Sequence, residues 1–370
     1  MPGIPNIRDL ARRPFTGPAV WRGPDLAGRE DWVLRLSPRR IGELRTALRT
    51  ARGRGTPLLR MTIADFPLPT LADELAGAAA ELATGRGFVL VKGIGVGELS
   101  DRDAGTVLRG ICQYLGRPVP QDAEGRTLCH VRDAAAAAAG PAVSVLRSRA
   151  GVPFHTDEAD LLGLLCLRPA RSGGDTSLVS SAALHNAVVD RRPDLAERLY
   201  RTHFFDRRDA HAPGEPPYAA APLATTYGAE LSLRYDRGRL EAARDLAGVP
   251  GPEQADTELY DLVDALARSS RLRLDLRLEA GDLLLVDNHA VLHARSAFED
   301  VGPPGRGRHL LRMWLARRGD TGPPGAGARG PRALEIRRGV TPLDIVRPRN
   351  LRPARPAGPC EDRRRHRADG

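Results

Sequence analysis

The sequence predicts a mainly β fold with flanking helices, in the form of a β-sandwich or jelly roll. After residue 150, short apolar segments recur between turn residues, a pattern that is typical of antiparallel strands. Helical spacing of apolar residues is confined to the first 116 residues and to two later stretches. No GxGxxG loop follows a strand and no GxxxxGKS/T loop occurs, so a nucleotide-binding α/β fold is not favoured.

Three helices and one buried strand are predicted in the first 116 residues. Ser37-Pro38 is a favourable N-cap and first-turn pair, and apolar residues follow it at helical spacing. A second helical pattern covers 69–85 and a third covers 101–116. The apolar run Gly87–Gly93 is short and bounded by glycines, which predicts a buried strand between these helices.

The region after residue 150 is predicted to consist mainly of strands. Two helical stretches interrupt them, at Ala182–Arg201 and Glu253–Ser269. The predicted strands lie around Phe154–Asp157, Leu161–Leu167, Thr176–Ser180, His203–Asp206, Glu230–Tyr235, Leu272–Leu278, Asp282–Asp287, Val291–Ala297 and His309–Ala316.

The chain is predicted to divide into three parts. Its 370 residues exceed the size, about 250–300 residues, at which a single core stops growing. We predict an irregular and helical extension over 1–64 that packs on the core, and a main domain over 65–318. Residues 319–370 are rich in Pro, Gly and Arg and lack apolar anchors, so we expect a disordered basic tail.

The formal charge of +10 does not indicate a nucleic-acid partner. The tail 319–370 holds 12 arginines against six acidic residues and so carries more than half of the excess. The rest of the chain has no basic stripe with interleaved aromatic residues, and we expect no specific nucleic-acid binding. No apolar run approaches the roughly 20 residues of a membrane helix, and no export signal is visible. We therefore expect no membrane partner. The four cysteines lack CxxC spacing, and without an export signal we expect a cytoplasmic protein.

The clearest chemical signal is the tripeptide His155-Thr-Asp157 in a predicted strand. Residues i and i+2 of a strand point to the same face, so the imidazole and the carboxylate would stand side by side. An HxD pair alone is a weak signal, because it arises by chance and a strand histidine is usually a core residue. His293, in a later predicted strand, offers a third ligand. Two histidines and one carboxylate with open positions form the facial triad of non-haem Fe(II) oxygenases.

Two arginines downstream strengthen this hypothesis. Arg308 and Arg312 are four residues apart in an apolar strand pattern, so they would point to one face. A buried guanidinium needs an anionic partner, and it can clamp a carboxylate with two hydrogen bonds. A metal triad beside an inward arginine is suited to a dicarboxylic 2-oxo acid, chelated at one end and held at the other. The alternative is that both arginines face solvent on an edge strand.

Together these motifs resemble the TauD/TfdA (taurine dioxygenase-like) family of Fe(II)/2-oxoglutarate-dependent oxygenases. The resemblance covers residues 65–318 and implies a double-stranded β-helix, the jelly roll of the clavaminate synthase-like type, with helices packed outside. It rests on four motifs in the family's order: His155-Thr-Asp157, Gly173-Gly-Asp-Thr176, Asp287-Asn288 with His293, and Arg308 with Arg312.

The resemblance implies that His155, Asp157 and His293 are the catalytic iron ligands. The implied cofactor is Fe(II), with 2-oxoglutarate and O2 as co-substrates. The implied reaction oxidises, most simply by hydroxylation, a small organic molecule such as an anionic compound or a secondary metabolite, while 2-oxoglutarate becomes succinate and CO2. The carboxylate at position 157 disfavours halogenation, because the related halogenases have a small residue there.

The resemblance also assigns roles around the metal. Arg308, fifteen residues after the distal histidine, and Thr176 would bind the distal carboxylate of 2-oxoglutarate. Asn288 would lie near the site and contact 2-oxoglutarate or O2. Arg312 matches the arginine that meets the substrate's anionic group in taurine dioxygenase. Either arginine could reach either anion, so their division of labour stays open.

One departure from the family pattern is His289, which follows Asn288 where an arginine is common. Its strand parity matches that of the distal histidine, so it is a candidate for the site interior. His130, Arg234 and Tyr235 are further candidates for a substrate pocket, although a structural role is the more frequent one for such residues.

Two other functions remain open from the sequence. A zinc hydrolase also uses two histidines and one carboxylate, but it has no need of an arginine and threonine that clamp a dicarboxylate. A non-catalytic binding protein could use the basic tail to contact a nucleic acid or an anionic surface. The substrate and the oligomeric state are not readable, and a homo-oligomer is compatible with the sequence.

Overall fold

A computed structural model describes residue 11 and residues 13–122, 124–133, 149–208, 215–227, 230–300 and 307–317. The predicted tail 319–370 lies outside the described residues. The α-helices are α1 (Gly23–Leu26), α2 (Pro38–Arg54), α3 (Leu71–Thr84), α4 (Asp101–Leu115), α5 (Ser181–Arg191), α6 (Pro193–Ala196), α7 (Arg237–Ala242) and α8 (Gln254–Arg268), with 3-10 turns at Leu58–Arg60, Glu197–Tyr200 and Ala243–Asp245.

Short strands make up most of the remaining regular structure. They are β1 (Val33–Arg35), β2 (Phe88–Lys92), β3 (Gly116–Val119), β4 (Leu128–Arg132), β5 (Val152–His155), β6 (Leu161–Arg168), β7 (Ser172–Gly173), β8 (Thr176–Ser180), β9 (Thr202–Asp206), β10 (Tyr218–Pro222), β11 (Ala224–Tyr227), β12 (Glu230–Leu233), β13 (Leu274–Leu276), β14 (Leu283–Asp287), β15 (Val291–Arg295), β16 (Phe298–Glu299) and β17 (His309–Arg317).

Two sheets form the centre of the molecule. Within the described residues, the larger sheet has the order β1-β2-β14-β6-β17-β3, with β4 also paired to β17. The smaller sheet has the order β13-β8-β15-β5, and all its pairs are antiparallel. Short pairs (β9 with β10, β11 with β12, β7 with β16) flank them. This is the predicted jelly-roll fold with antiparallel sheets.

Alternation along the strands separates the inner core from the helical layers. On β14, Leu284 and Val286 face the smaller sheet, where they pack in one apolar cluster with Leu178 and Val291. The neighbouring leucines of β14 face the opposite side and join α2, α3 and α4 in a second cluster. Helices α5 and α8 cover the outer face of the smaller sheet in a third cluster. The space between the two sheets is therefore lined from both sides.

The three predicted N-terminal helices are present, whereas β1 lies in a stretch predicted to be irregular and one later helix differs. Ser37 caps α2 through a hydrogen bond from the backbone N–H of Arg40, as the Ser37-Pro38 pair predicts. The single helix predicted over Ala182–Arg201 is divided at Arg192, where the backbone leaves the helical region before Pro193. Among the described residues, no helix has both the length and the apolar character needed to cross a bilayer.

Candidate active site

Two histidines and an aspartate meet at the inner face of the smaller sheet. His155 is the last residue of β5, and antiparallel pairing places it opposite His293 of β15, with ring centroids 4.3 Å apart. Asp157 lies close to both rings: its Oδ1 is 3.8 Å from Nε2 of His155 and its Oδ2 is 3.7 Å from Nε2 of His293. The potential ligand atoms of the three residues all lie within 4.8 Å of one another.

The local reason for this geometry differs from the one that the sequence suggested. The strand predicted to extend to Asp157 ends at His155, so the two side chains do not share a strand face. Instead, the chain turns, and the backbone N–H of Thr156 donates to the carbonyl of Tyr235 at 2.8 Å. The backbone N–H of Asp157 donates to Oδ1 of Asn288 at 3.1 Å. These bonds from distant residues position the carboxylate.

The protonation states of the cluster suit a divalent metal ion. Nδ1 of His155 lies 2.9 Å from the carbonyl oxygen of Pro153, so Nδ1 donates and the Nε2 lone pair faces Asp157. Burial, helped by neighbouring His155, lowers the pKa of His293 to about 3, so this imidazole is neutral. Burial raises the pKa of Asp157, but neighbouring positive charge, of which Arg312 is the largest source, outweighs it and brings that pKa below its usual value.

Two atoms of the cluster, Oδ2 of Asp157 and Nδ1 of His293, lack a hydrogen-bond partner among the described residues. The carboxylate oxygen Oδ2 is buried. An ionised oxygen in that position is costly unless a cation or a donor reaches it. Two imidazoles and one carboxylate form the donor set that Fe(II) takes in facial-triad sites, and the residues present therefore fit such an ion.

Arg312 contacts the aspartate of this cluster and is held rigidly. Its Nη1 is 3.3 Å from Oδ1 of Asp157, and its guanidinium lies 4.7 Å from the ring of Trp314. Its Nε donates to Oε1 of Gln121 at 2.7 Å. The amide nitrogen of Gln121 in turn donates to the carbonyls of Thr127 (2.9 Å) and of Arg312 itself (3.0 Å). The guanidinium is thus fixed beside the metal cluster.

Arg308 points into the same interior as Arg312 but contacts different residues there. Its Nη2 is 3.4 Å from the carbonyl of Gly174, and its guanidinium lies 5.3 Å from the ring of Phe298. Its Nη1 is buried and has no hydrogen-bond partner within the described ranges. Burial and the charge of Arg295 lower the pKa of Arg308 to about 10, which leaves it a cation at neutral pH.

Thr176 is the first residue of β8 and is buried. It follows Gly174 and Asp175, which line a small cavity together with Cys166, Leu278 and Arg308. The chain just before Thr176 therefore borders the same cavity as Arg308.

Asn288 is fully buried beside Asp157. Its Oδ1 accepts the hydrogen bond from the Asp157 backbone, and its Nδ2 has no hydrogen-bond partner in the described part of the chain. The observed contact is therefore with the backbone of a candidate metal ligand, and one N–H donor group remains for a further acceptor.

The other candidates from the sequence lie outside the metal cluster. His289 is buried between Asp160, 3.0 Å from its Nε2, and Ser232, 2.8 Å from its Nδ1. The even spacing from His293 thus misled us, because the chain turns between β14 and β15. Tyr235 donates from its hydroxyl to Asp264 at 2.8 Å.

Arg234 and His130 also have other contacts. Nη2 of Arg234 donates to both carboxylate oxygens of Glu158, at 2.8 and 3.0 Å, in a buried ion pair next to the candidate ligand Asp157. His130 is paired in register with Leu311, which packs with the helices rather than between the sheets. Residues opposite each other share a face, so His130 faces the helical layer.

Two residues at the site were not predicted. Gln121 lies in the connection from β3 to β4, 191 positions from Arg312, and no sequence pattern signals that contact. Arg295 lies two residues after His293 on β15 and is buried. Its even spacing from a ligand histidine was a usable signal.

Comparisons with known proteins agree with this geometry. The profile of the "Taurine catabolism dioxygenase TauD, TfdA family" matches residues 54–314. The chain belongs to this family. It is accordingly a non-haem iron, 2-oxoglutarate-dependent oxygenase that uses Fe(II) with 2-oxoglutarate and O2. A zinc hydrolase is not the activity of this family.

Three similar proteins illustrate the relationship. FR-33289 synthase from Streptomyces rubellomurinus is 26% identical over 311 residues, covering 83% of this chain and 91% of that protein. A uridine-5'-phosphate dioxygenase from Amycolatopsis is 31% identical over 154 residues, 41% of this chain and 54% of that protein. The solved structure of the non-haem iron oxygenase OrfP with Fe and alpha-ketoglutaric acid has a TM-score of 0.58 at 16% identity, covering 77% of this chain and 94% of that one.

Proposed function

We propose that this oxygenase hydroxylates a small anionic organic molecule, with His155, Asp157 and His293 as its iron ligands. The observation that carries the proposal is the cluster of two imidazoles and a buried carboxylate, whose oxygen Oδ2 has no hydrogen-bond partner among the described residues. When bound, iron supplies the activation of O2 and the oxidative decarboxylation of 2-oxoglutarate to succinate and CO2.

In this proposal the two buried arginines bind different anions, one on the co-substrate and one on the substrate. Arg308 and Thr176 hold the distal carboxylate of 2-oxoglutarate, because Arg308 has an unpartnered buried Nη1 among the described residues. Arg312 meets the substrate, because Gln121 and Trp314 fix its guanidinium beside Asp157. Asn288 holds the Asp157 backbone and offers its free Nδ2 hydrogens to a group bound at the metal.

The expected substrate is an anion. Taurine, in the family's name, and uridine-5'-phosphate, in the name of one relative, each carry an anionic group, a sulfonate and a phosphate. A guanidinium beside the metal cluster would orient such a group by a charge-assisted hydrogen bond. Similarity to a Streptomyces synthase over most of both chains supports a biosynthetic reaction on a secondary metabolite.

The experiment measures succinate formation by the Fe(II)-loaded enzyme with a panel of phosphorylated, sulfonated, carboxylated and neutral compounds. We expect stimulation by anionic compounds. Arg312→Met should raise the KM for the stimulating compound by roughly 10- to 100-fold, since a hydrogen bond to a charged group contributes about 1.5–3 kcal/mol. The KM for 2-oxoglutarate should change by less than about twofold, a change worth under about 0.5 kcal/mol.

Exposed Arg271 supplies the matched control, as Arg271→Met. Stimulation by neutral compounds alone, or an Arg312→Met variant with an unchanged substrate KM, would reject the anionic-substrate assignment. Turnover by the His155→Ala variant would reject the ligand assignment.

A further inference from the structure

Arg295 lies two residues beyond His293 on the inner face of the smaller sheet. The pairing of β15 with β8 places His293 opposite Leu178 and Arg295 opposite Thr176. Directly opposed residues of an antiparallel pair point to one face, and so do residues i and i+2. The side chains of His293, Arg295 and Thr176 therefore share that face, in two rows that are separated by about 7 Å along the strand.

Arg295 of β15 and Arg308, which directly precedes β17, share one aromatic neighbour. Both guanidinium groups lie against the ring of Phe298, at 5.1 Å for Arg295 and 5.3 Å for Arg308. Both side chains are buried, and Nη2 of Arg295 donates to the carbonyl of Ala150, which fixes its position. The buried Nη1 of Arg308 has no hydrogen-bond partner within the described ranges, so an anion is favourable at this point of the interior.

We propose that Arg295 is a second guanidinium of the 2-oxoglutarate site, acting with Arg308 and Thr176 on the distal carboxylate. The inference rests on the proposed assignment of that pair to 2-oxoglutarate. A diacid chelated by one end at the row of His293 presents its other end to the next row, where Thr176 and Arg295 lie. A carboxylate there neutralises part of the repulsion between the two arginines.

The test compares two ligands by isothermal titration calorimetry on the full chain loaded with Mn(II). 2-Oxoglutarate has both the chelating end and the distal carboxylate, whereas 2-oxopentanoate has the same chelating end and chain without that carboxylate. We expect Arg295→Met to weaken 2-oxoglutarate binding at least tenfold and to change 2-oxopentanoate binding by less than twofold. The exposed Arg271, which does not line the cavity of Arg308, supplies the matched control as Arg271→Met and should change neither.

Arg295→Gln guards against a folding defect, because glutamine removes the charge and can still donate to the carbonyl of Ala150. It should show the same selective loss. Unchanged 2-oxoglutarate affinity in either folded variant, or equal weakening of both ligands, would overturn the inference. A wild-type protein that binds Mn(II) but not 2-oxoglutarate would instead reject the underlying assignment of Arg308 and Thr176.

Discussion

Two clusters in this molecule have the same composition, two histidines and one aspartate, but different surroundings. One consists of His155, Asp157 and His293 between the sheets. The other, Asp101 with His130 and His309, lies where the start of α4 meets the helical face of the larger sheet. In both, the possible ligand atoms lie within 4.8 Å of one another. Composition and distance alone therefore do not separate a metal centre from a hydrogen-bonded cluster.

The imidazole lone pairs of the second cluster already accept hydrogen bonds. Nη2 of Arg168 lies 3.2 Å from Nδ1 of His309, so that nitrogen accepts. The other ring nitrogen of His309 must then donate, and it lies 2.8 Å from Nδ1 of His130, which accepts in turn. Asp101 is largely exposed and 3.8 Å from His309. This chain of donors leaves no lone pair directed at a common point.

The first cluster has the opposite arrangement. The Nδ1 proton of His155 is directed away, to the carbonyl of Pro153, and its Nε2 lone pair points inward. The nearby arginine, Arg312, contacts the carboxylate rather than an imidazole lone pair. The hydrogen bonds that surrounding groups make to the histidines and the aspartate therefore determine which cluster is free to bind a cation.

The largest effect is expected from deleting one histidine of each cluster. His155→Ala should abolish stoichiometric binding of Fe(II) or Mn(II) and reduce succinate formation by at least about 1,000-fold, because the facial triad loses one of its three ligands. His130→Ala should keep one metal ion per chain and most of the activity. Metal content by mass spectrometry of the purified variants measures both. Two ions per wild-type chain, or loss of metal in His130→Ala, would contradict the distinction between the clusters.

The sequence identified the first cluster but not the reason for its geometry. His155-Thr-Asp157 with His293 selected the three side chains only together with the downstream arginines and the family resemblance. The short strands predicted a β-sandwich or jelly roll, and the resemblance narrowed this to the jelly roll. The orientation of Asp157 depends on Asn288 and on the carbonyl of Tyr235, contacts that span 131 and 79 positions. Contacts of that range arise from sheet register, which a single sequence does not contain.

The orientation of His130 is a second feature that the sequence alone could not predict. Its own strand could point it either way, and only the pairing with Leu311 assigns it to the helical layer. By contrast, counting residues predicted one face for Arg308 and Arg312. The pairing of β17 with β4 is regular from His309 to Met313, whereas its pairing with β6 shifts register between His309 and Leu310. The predicted boundaries at 64 and 318 remain predictions.

A smaller effect is expected when Arg308, of the proposed 2-oxoglutarate site, is compared with Arg168, which contacts the second cluster. Arg308→Met should weaken 2-oxoglutarate binding to the Mn(II)-loaded enzyme by roughly 10- to 100-fold, corresponding to the about 1.5–3 kcal/mol of a hydrogen bond to a charged group. Arg168→Met, which removes the donor to His309, should change that affinity by less than about twofold, a change of under about 0.5 kcal/mol. Calorimetric titration provides both values. Equal affinities in the two variants would show that Arg308 does not meet the co-substrate.

The smallest expected effect is a pH dependence of the unfolding free energy that arises from His309 of the second cluster. Burial is the main cause that lowers the pKa of His309 to about 4; His130, Arg168 and Arg132 lower it further, and Asp101 opposes them. The unfolded chain has a histidine pKa near 6.5. Between pH 6.5 and about 4 the unfolded state therefore binds the proton and the folded state does not, so the free energy of unfolding falls as the pH falls, by at most about 3 kcal/mol.

Urea unfolding at pH 7.5 and at pH 4.5 tests this with His309→Gln, which keeps hydrogen-bonding groups but does not titrate. We expect the loss of unfolding free energy between the two pH values to be smaller in the variant than in the wild type. It should not vanish, because burial also lowers the pKa of His185 to about 4 and contributes the same sign of dependence. An identical loss in both proteins would mean that His309 is protonated in the folded state, and the proposed direction of its hydrogen bonds to Arg168 and His130 would then be wrong.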